Sequence, residues 1–308
     1  MVQSFGVFLP PQGKTYSRLK AMAKTADDLG YHSIWMSDHL HGMHGNQATP
    51  RYECWTLGTA LLAITKSVKF GQVTIAAPFR NPALLAKMAA TLDNISNGRA
   101  ILSIGAGWHL DEFKGYGYHY GSKGSRSKRL EEAAKIIKLL WNEENPSYFG
   151  RYYKIDKAYC NPKPVQDKLP LMISGGGEKR TLRTAARYAD MTNYAPWTGT
   201  HEEFKMKTDI LLAHCESEGR NSNEITKTWA AFVYIDDSMS GAKSKLLKAN
   251  PNAPRVRASG GLIGTPELIV QDIYKYRDAG VDFFILRFQG DEWDKDIAMF
   301  TEEVIPNI

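Results

Sequence analysis

The chain has 308 residues, 43% hydrophobic and 23% charged, with a net charge of +6. This composition is that of an ordinary globular protein; it argues against disorder, and no apolar run is long enough to suggest a membrane span. The N-terminus lacks the basic and apolar regions of a secretory signal, and three widely spaced cysteines (Cys54, Cys160, Cys215) suit a reducing cytoplasm. The densest basic run, Lys123 to Arg129, has no interleaved aromatics and reads as a solvated helix start, not a nucleic-acid site.

Gln3 to Leu9 is the first predicted strand. A helix follows with Leu19, Met22, Ala23, Ala26 and Leu29 on one face, and Gly30 ends it. The second strand, His32 to Met36, stops at Ser37, Asp38 and His39. The next helix buries Leu57, Ala60, Leu61 and Ile64; Val68 to Ala76 is the third strand, and a helix carrying Leu85, Met88, Ala89, Leu92 and Ile95 follows it. The fourth strand is AILSIGAG, Ala100 to Gly107. A long Gly- and Tyr-rich stretch from Trp108 to Ser127 precedes a helix with Leu130, Ala133, Ala134, Ile137, Leu140 and Trp141.

Residues 147–166 read as a small hairpin or excursion. The fifth strand, LPLMISGGG (Leu169 to Gly177), runs into a helix, then come a short MTNYAP strand and a longer helix ending at Gly219. Thr228 to Ile235 is the seventh strand. A helix starts at Pro266 with Thr265 as N-cap and ends at Gly280, before Phe283 to Phe288, the eighth strand, and a last helix. Eight strands, each followed by a helix, predict a (β/α)8 TIM barrel forming one domain over residues 1–308. Insertions are expected after strand four and before strand five. Strand count and the lack of an early GxGxxG argue against a doubly wound open sheet.

Active sites of such barrels form at the carboxyl ends of the strands, so the residues there are the candidates. Ser174, Gly175, Gly176 and Gly177, followed by Lys179, Arg180 and Thr181 at a helix start, offer backbone amides, positive charge and a hydroxyl to a phosphate. This loop predicts a phosphorylated cofactor. Gly105 and Gly107 let backbone approach a ligand because no Cβ intervenes; Trp108 either stacks there or packs. Asn193 and Arg287 stand at the ends of later strands, and Asn193 joins the cofactor-facing set. Asp38 and His39 end the second strand, and a histidine can give or take a proton near neutrality. Strand neighbours point to opposite faces, so Asp38 is a poor orienting partner for His39 unless the strand has already ended there. The run DHLHGMH, with His39, His41 and His44, also suggests a metal-dependent hydrolase. Later strand ends supply no carboxylate or histidine pair, only His109 nearby, and no metal ligands are assigned.

Several stretches carry a resemblance: FGVFLP at Phe5, LGYHSIWMSDH at Leu29, ECWTLGTALLA at Glu53 and Phe79 to Trp108. EEAAKIIKLLW, NPKPVQ, ISGGGEKRTLRTAARYAD and GTPELIV continue it in order across nearly the whole chain. The sequence resembles the luciferase-like monooxygenase family, and within it the branch that uses coenzyme F420, a 5-deazaflavin. That resemblance implies a TIM barrel of the bacterial luciferase-like type and an oxidoreductase moving hydride between F420 and a small organic substrate. It implies that Asp38 and His39 lie beside the substrate. It also implies a non-prolyl cis peptide within Thr74, Ile75, Ala76 and Ala77, against the cofactor ring. The same family includes two-component monooxygenases that use FMN and a separate flavin reductase, which is the alternative reading. Homodimers are implied by resemblance alone. Some deazaflavin relatives carry a catalytic glutamate where this chain has Trp108; Glu53 and Glu112 are possible substitutes, each read as a surface or capping residue. The substrate pocket is expected from the Trp108 to Ser127 loop and the Ser238 to Gly261 segment.

Overall fold

Two glycines and one indole organise the barrel interior. Trp35 points inward from the second strand, and a Cβ on Gly6 or on Gly71 would fall 2.3 Å from its ring. Both flanking strands therefore have to be bare at those positions. Ser33, two residues back on the same face, accepts the indole N–H at 2.7 Å, while Ile34 and Met36 face the helices.

The computed structural model describes residues 4–43, 45–194, 199–249, 261–290 and 292–308. The barrel strands are β1 (Phe5–Phe8), β2 (Ser33–Met36), β3 (Lys69–Gln72), β4 (Ile75–Ala76), β5 (Leu102–Gly105), β8 (Leu171–Ser174), β9 (Met191–Asn193), β10 (Thr226–Ile235) and β12 (Phe283–Phe288). They run parallel in the order β3-β2-β1-β12-β10-β9-β8-β5-β4, and β11 (Leu262–Gly264) adds to the side of β10. A bridge from Phe70 to Ala100 brings the ends of this nine-strand path together into a nearly closed barrel. A hairpin of β6 (Tyr148–Phe149) and β7 (Lys154–Ile155) occupies the expected excursion before β8.

The helices are α1 (Tyr16–Asp28), α2 (Cys54–Leu62), α3 (Pro82–Ser96), α4 (Leu110–Gly115), α5 (Lys123–Asn142), α6 (Thr181–Tyr188), α7 (His201–Ser217), α8 (Met239–Ala249), α9 (Pro266–Asp278) and α10 (Trp293–Met299). Helix α1 buries Leu19, Met22, Ala23 and Ala26, as the spacing requires. An inner cluster including Phe8, Trp35, Met172 and Ile285 fills the barrel, and a larger layer packs the strands on the helices. Cys54, Cys160 and Cys215 are buried and free. Among the described residues, no helix is long and apolar enough to cross a membrane.

Several expectations need correction. The third strand is not continuous: it breaks at a cis Val73–Thr74 bond, and β3 pairs with β2 while β4 pairs with β5. Thr265 occupies the N-cap position of α9, but its hydroxyl donates to Glu267 at 2.6 Å and caps no backbone amide. Part of the stretch read as a long loop forms α4, and α5 begins at Lys123. Within the Ser238 to Gly261 segment, α8 occupies residues 239–249, while 250–260 lie outside the described residues. His44, Gln3 and the last two residues of the MTNYAP stretch also lie outside them.

Candidate active site

The carboxyl ends of the strands surround a cavity of about 840 Å³. On one side its wall is backbone and short side chains: Ala76, Gly105, Ala106, Gly107 and Gly175. The strand ends pack closely there, since a Cβ on Gly105 would lie 2.9 Å from the Thr74 methyl and 3.2 Å from the Ser174 carbonyl oxygen. Hydroxyls run along this wall in a chain, Thr74 Oγ1 to Ser103 Oγ at 2.6 Å and on to Ser174 Oγ at 3.2 Å. The opposite side carries Phe8, Phe232 and Arg287, from β1, β10 and β12.

His39 lines the cavity at the end of β2, and its partner is Glu112. Nδ1 of His39 is 2.8 Å from Oε2 of Glu112, and Oε1 of the same carboxylate accepts the Leu40 N–H at 2.5 Å. Glu112 is 1% exposed, on α4. Burial alone would push its carboxyl pKa up, but the bonds from His39 and Leu40 and the nearby His109 hold it below the ordinary value. An ionised carboxylate only accepts, so Nδ1 of His39 carries the proton and Nε2 is the nitrogen left for a ligand. The reading of Glu112 as a surface or capping residue is therefore overturned. Glu53, by contrast, does cap: its side chain accepts the Trp55 and Thr56 N–H groups at the start of α2.

Asp38 is 2% exposed and bound in a fork by Arg80, at 2.7 and 2.9 Å. Arg80 also donates to Glu53 at 2.5 Å, and these carboxylates raise its pKa although burial works against it. Asp38 thus belongs to Arg80 and not to His39; β2 ends at Met36, so strand alternation does not decide their orientation. Arg51 braces the same loop, donating to the His39 carbonyl at 3.1 Å, to Ser37 Oγ at 2.6 Å and to Gln12 at 3.3 Å.

Of the residues singled out from sequence, Asp38, His39, Thr74, Ala76, Gly105, Gly107, Trp108, Ser174, Gly175 and Thr181 lie on the cavity wall. Trp108 forms its lip, 64% exposed, with its ring edge-on to His39 at 6.0 Å. Ile75 is not on the wall, because it faces the helix layer. Asn193 is fully buried, with its amide donating to Thr228 Oγ1 at 3.0 Å and its Oδ1 without a hydrogen bond among the described residues. Gly176 and Gly177 lie in the turn before α6, which starts at Thr181 and not directly after the glycines. A Cβ on Gly176 would strike the Tyr194 carbonyl oxygen at 2.8 Å, so that position must be bare for the chain to pass. Lys179 and Arg180 are exposed, and Arg180 ties α6 to α5 through the Gly124 carbonyl at 3.2 Å. His41 and His109 stack edge-on at 5.4 Å, but among the described residues no three metal-ligating side chains converge.

A parallel barrel with a histidine and a buried carboxylate at its carboxyl end defines a TIM-barrel enzyme site. Residues 3–259 match the luciferase-like monooxygenase family, and the chain belongs to that family. It is 28% identical over 313 residues to an F420-dependent glucose-6-phosphate dehydrogenase of Amycolatopsis mediterranei (strain U-32), covering 93% of this chain and 92% of that one. It is 26% identical to an FMNH(2)-dependent dimethylsulfone monooxygenase of Pseudomonas putida, covering 85% of this chain and 80% of the relative. Among solved structures, an F420-dependent secondary alcohol dehydrogenase in complex with an F420-acetone adduct has a TM-score of 0.86 at 23% identity, with 100% and 99% of the two chains covered. The coenzyme F420-dependent tetrahydromethanopterin reductase of Methanopyrus kandleri has a TM-score of 0.82 at 20% identity, with 99% of each chain covered. These structural likenesses establish the fold.

Proposed function

We propose that this protein is an oxidoreductase that exchanges hydride between coenzyme F420 and a small organic substrate, with His39 handling the accompanying proton. The observation that carries the chemistry is the His39–Glu112 pair on the wall of the cavity. With Nδ1–H held by Glu112, Nε2 accepts the hydroxyl proton of an alcohol being oxidised, and the buried carboxylate stabilises the imidazolium that results. In the reverse direction the same nitrogen returns the proton to the carbonyl oxygen.

The residues present suit a deazaflavin. The bare wall of Ala76, Gly105, Ala106 and Gly107 admits a flat ring. Ser174, Gly175 and Thr181 stand where a phosphate would meet the start of α6. When bound, F420 supplies or takes up hydride at its ring. The F420-dependent dehydrogenase of Amycolatopsis mediterranei, matched over 93% of this chain, supports the choice of cofactor.

The second reading, an FMN monooxygenase supplied by a flavin reductase, draws on the Pseudomonas putida relative. Fluorescence titration with F420 and with FMN separates the two. F420 should bind at least as tightly as FMN; tight FMN binding with no response to F420 selects the monooxygenase. By the same family resemblance we propose a homodimer in the cytoplasm, and sedimentation should give twice the chain mass.

A further inference from the structure

The lip of the cavity carries a large side chain on a backbone that is tied down on both sides. Gly107 turns the chain through a left-handed conformation, φ +74°, which glycine adopts without strain. Its carbonyl accepts from Arg126 Nε at 3.1 Å, and the next carbonyl, that of Trp108, accepts the Tyr120 hydroxyl at 2.8 Å. Arg126 is 6% exposed; it also donates from Nη1 to the Gly121 carbonyl at 2.9 Å and lies 3.8 Å over the Tyr120 ring. Tyr120 in turn meets the buried ring of Phe113 edge-on at 5.0 Å. A buried guanidinium and two packed rings therefore hold the Gly107–Trp108 backbone in one place.

The indole on that backbone is nevertheless left open to solvent. It meets the rings of His39 and His109 at 84° and 89°, so neither imidazole stacks parallel on it, and among the described residues no other ring does. A single exposed aromatic is ordinary on a protein surface. This one is different because it stands on a fixed backbone, on the cavity wall, with its centre 6.0 Å from that of the His39 ring. A flat partner laid on an indole gains more than its buried area alone would give. Pro10, Pro11, Met43, Phe79 and Phe113 line the same cavity and extend its apolar surface.

We propose that Trp108 selects the substrate: a flat aromatic group stacks on its indole while the alcohol or carbonyl carbon attached to that group stands at His39 Nε2. This rests on the oxidoreductase reading of the same cavity and gives its substrate class as aryl carbinols and the matching aryl carbonyl compounds. The indole and imidazole centres, 6.0 Å apart, are close enough for one small molecule to touch both. The cofactor ring of that reading takes the bare wall of Ala76, Gly105 and Ala106, so the indole at the lip is left to the substrate.

Ligand-observed NMR titration of the full chain with benzyl alcohol, cyclohexylmethanol and isobutanol tests the proposal, first without cofactor and then with F420 present. In at least one of these states benzyl alcohol should bind about threefold or more tightly than cyclohexylmethanol, which has a similar size but no flat ring. Trp108→Ala should weaken benzyl alcohol by about fivefold, leave isobutanol within about twofold and abolish the preference. Trp108→Phe, which keeps a flat ring, should retain it. Trp108→Leu, apolar but not flat, replaces the alanine variant if that one does not fold. Equal binding of the two ring alcohols, or binding of neither, overturns the proposal. So does a preference that survives the loss of the indole. A Trp108→Ala defect confined to F420 affinity would assign the indole to the cofactor and overturn it equally. A protein that binds neither F420 nor FMN would sink the oxidoreductase reading, while the probe preference and its dependence on Trp108 would stand.

Discussion

The carboxylate of Glu112 bridges two consecutive residues, the ring of His39 and the backbone N–H of Leu40, from 73 and 72 positions further along the chain. One side chain therefore fixes both the rotation of the imidazole and the path of the loop that carries it. His39 reaches the cavity as a pre-set group whose Nε2 is free to work, which is what a proton-transfer residue requires.

Replacing His39 by Ala should slow turnover by about 100- to 10,000-fold, the usual share of a general acid–base group, while cofactor affinity stays nearly intact. Glu112→Gln keeps an acceptor for Nδ1–H but loses the charge, and turnover should fall by about 10- to 100-fold. The readout is kcat against the cofactor dissociation constant, together with the pH–rate profile. The wild-type limb assigned to the imidazole should be absent in His39→Ala and displaced in Glu112→Gln. A Glu112→Gln enzyme with wild-type kcat and profile would remove Glu112 from the mechanism.

Arg80 is 12% exposed and holds the nearly buried Asp38 in a two-point fork. Arg80→Met should destabilise the fold by about 3–5 kcal/mol, because Asp38 is left as a buried charge without its partner. Asp38→Asn in the Arg80→Met background should recover part of that loss by removing the stranded charge. Urea unfolding of the single and double variants measures both. If the double variant is no more stable than Arg80→Met, the fork is not what holds this loop.

Much of the architecture was legible because apolar strands ended in recognisable residues. SIWM stopped at Asp38 and His39, and LMIS stopped at three glycines, so the cavity rim could be read from neighbouring residues. The pairing of His39 with Glu112 could not, since it joins distant positions through α4. That six-residue helix, LDEFKG, is too short for an apolar period, and it sits among glycines and tyrosines that read as loop. The i,i+3 placement of His109 and Glu112 was the one local signal available. Arg51 and Arg80 were missed for the same reason, each being polar and on a connecting segment. The break in the third strand has no residue signature; resemblance placed a cis bond within residues 74–77, and it lies one bond earlier. Strand β11 is three residues long, below what alternation can reveal.

Thr181 lines the cavity at the first position of α6, and a Cβ on Gly177 would fall 2.7 Å from its hydroxyl. Thr181→Val preserves shape and removes the hydroxyl. If the cofactor phosphate sits at this helix start, affinity for F420 should drop by about tenfold, the contribution of a hydrogen bond to a charged group. Gly177→Ala should act in the same direction by displacing the hydroxyl. Unchanged titrations in both variants, with intact circular dichroism, would place the phosphate elsewhere.

His32 predicts how stability responds to acid. Its ring lies edge-on to Phe283 at 5.1 Å, with Nδ1 3.1 Å from Ser33 Oγ. Burial, assisted by the positive charge of Lys69, lowers its pKa from 6.5 to about 4. The unfolded chain therefore takes up a proton as pH falls below about 6.5, while the folded chain resists until about 4. The stability that the neutral ring contributes is fully present above pH 6.5 and is lost progressively as pH falls toward 4, by on the order of 3 kcal/mol. Glu112 acts in a lower window, because its pKa lies below 4.5 and its contribution fades only as pH drops through that value. Urea midpoints at pH 7, 6 and 5 should decline in the wild type and stay nearly level across that range in His32→Gln. A variant that loses stability with the wild-type slope would show that another group carries the acid sensitivity.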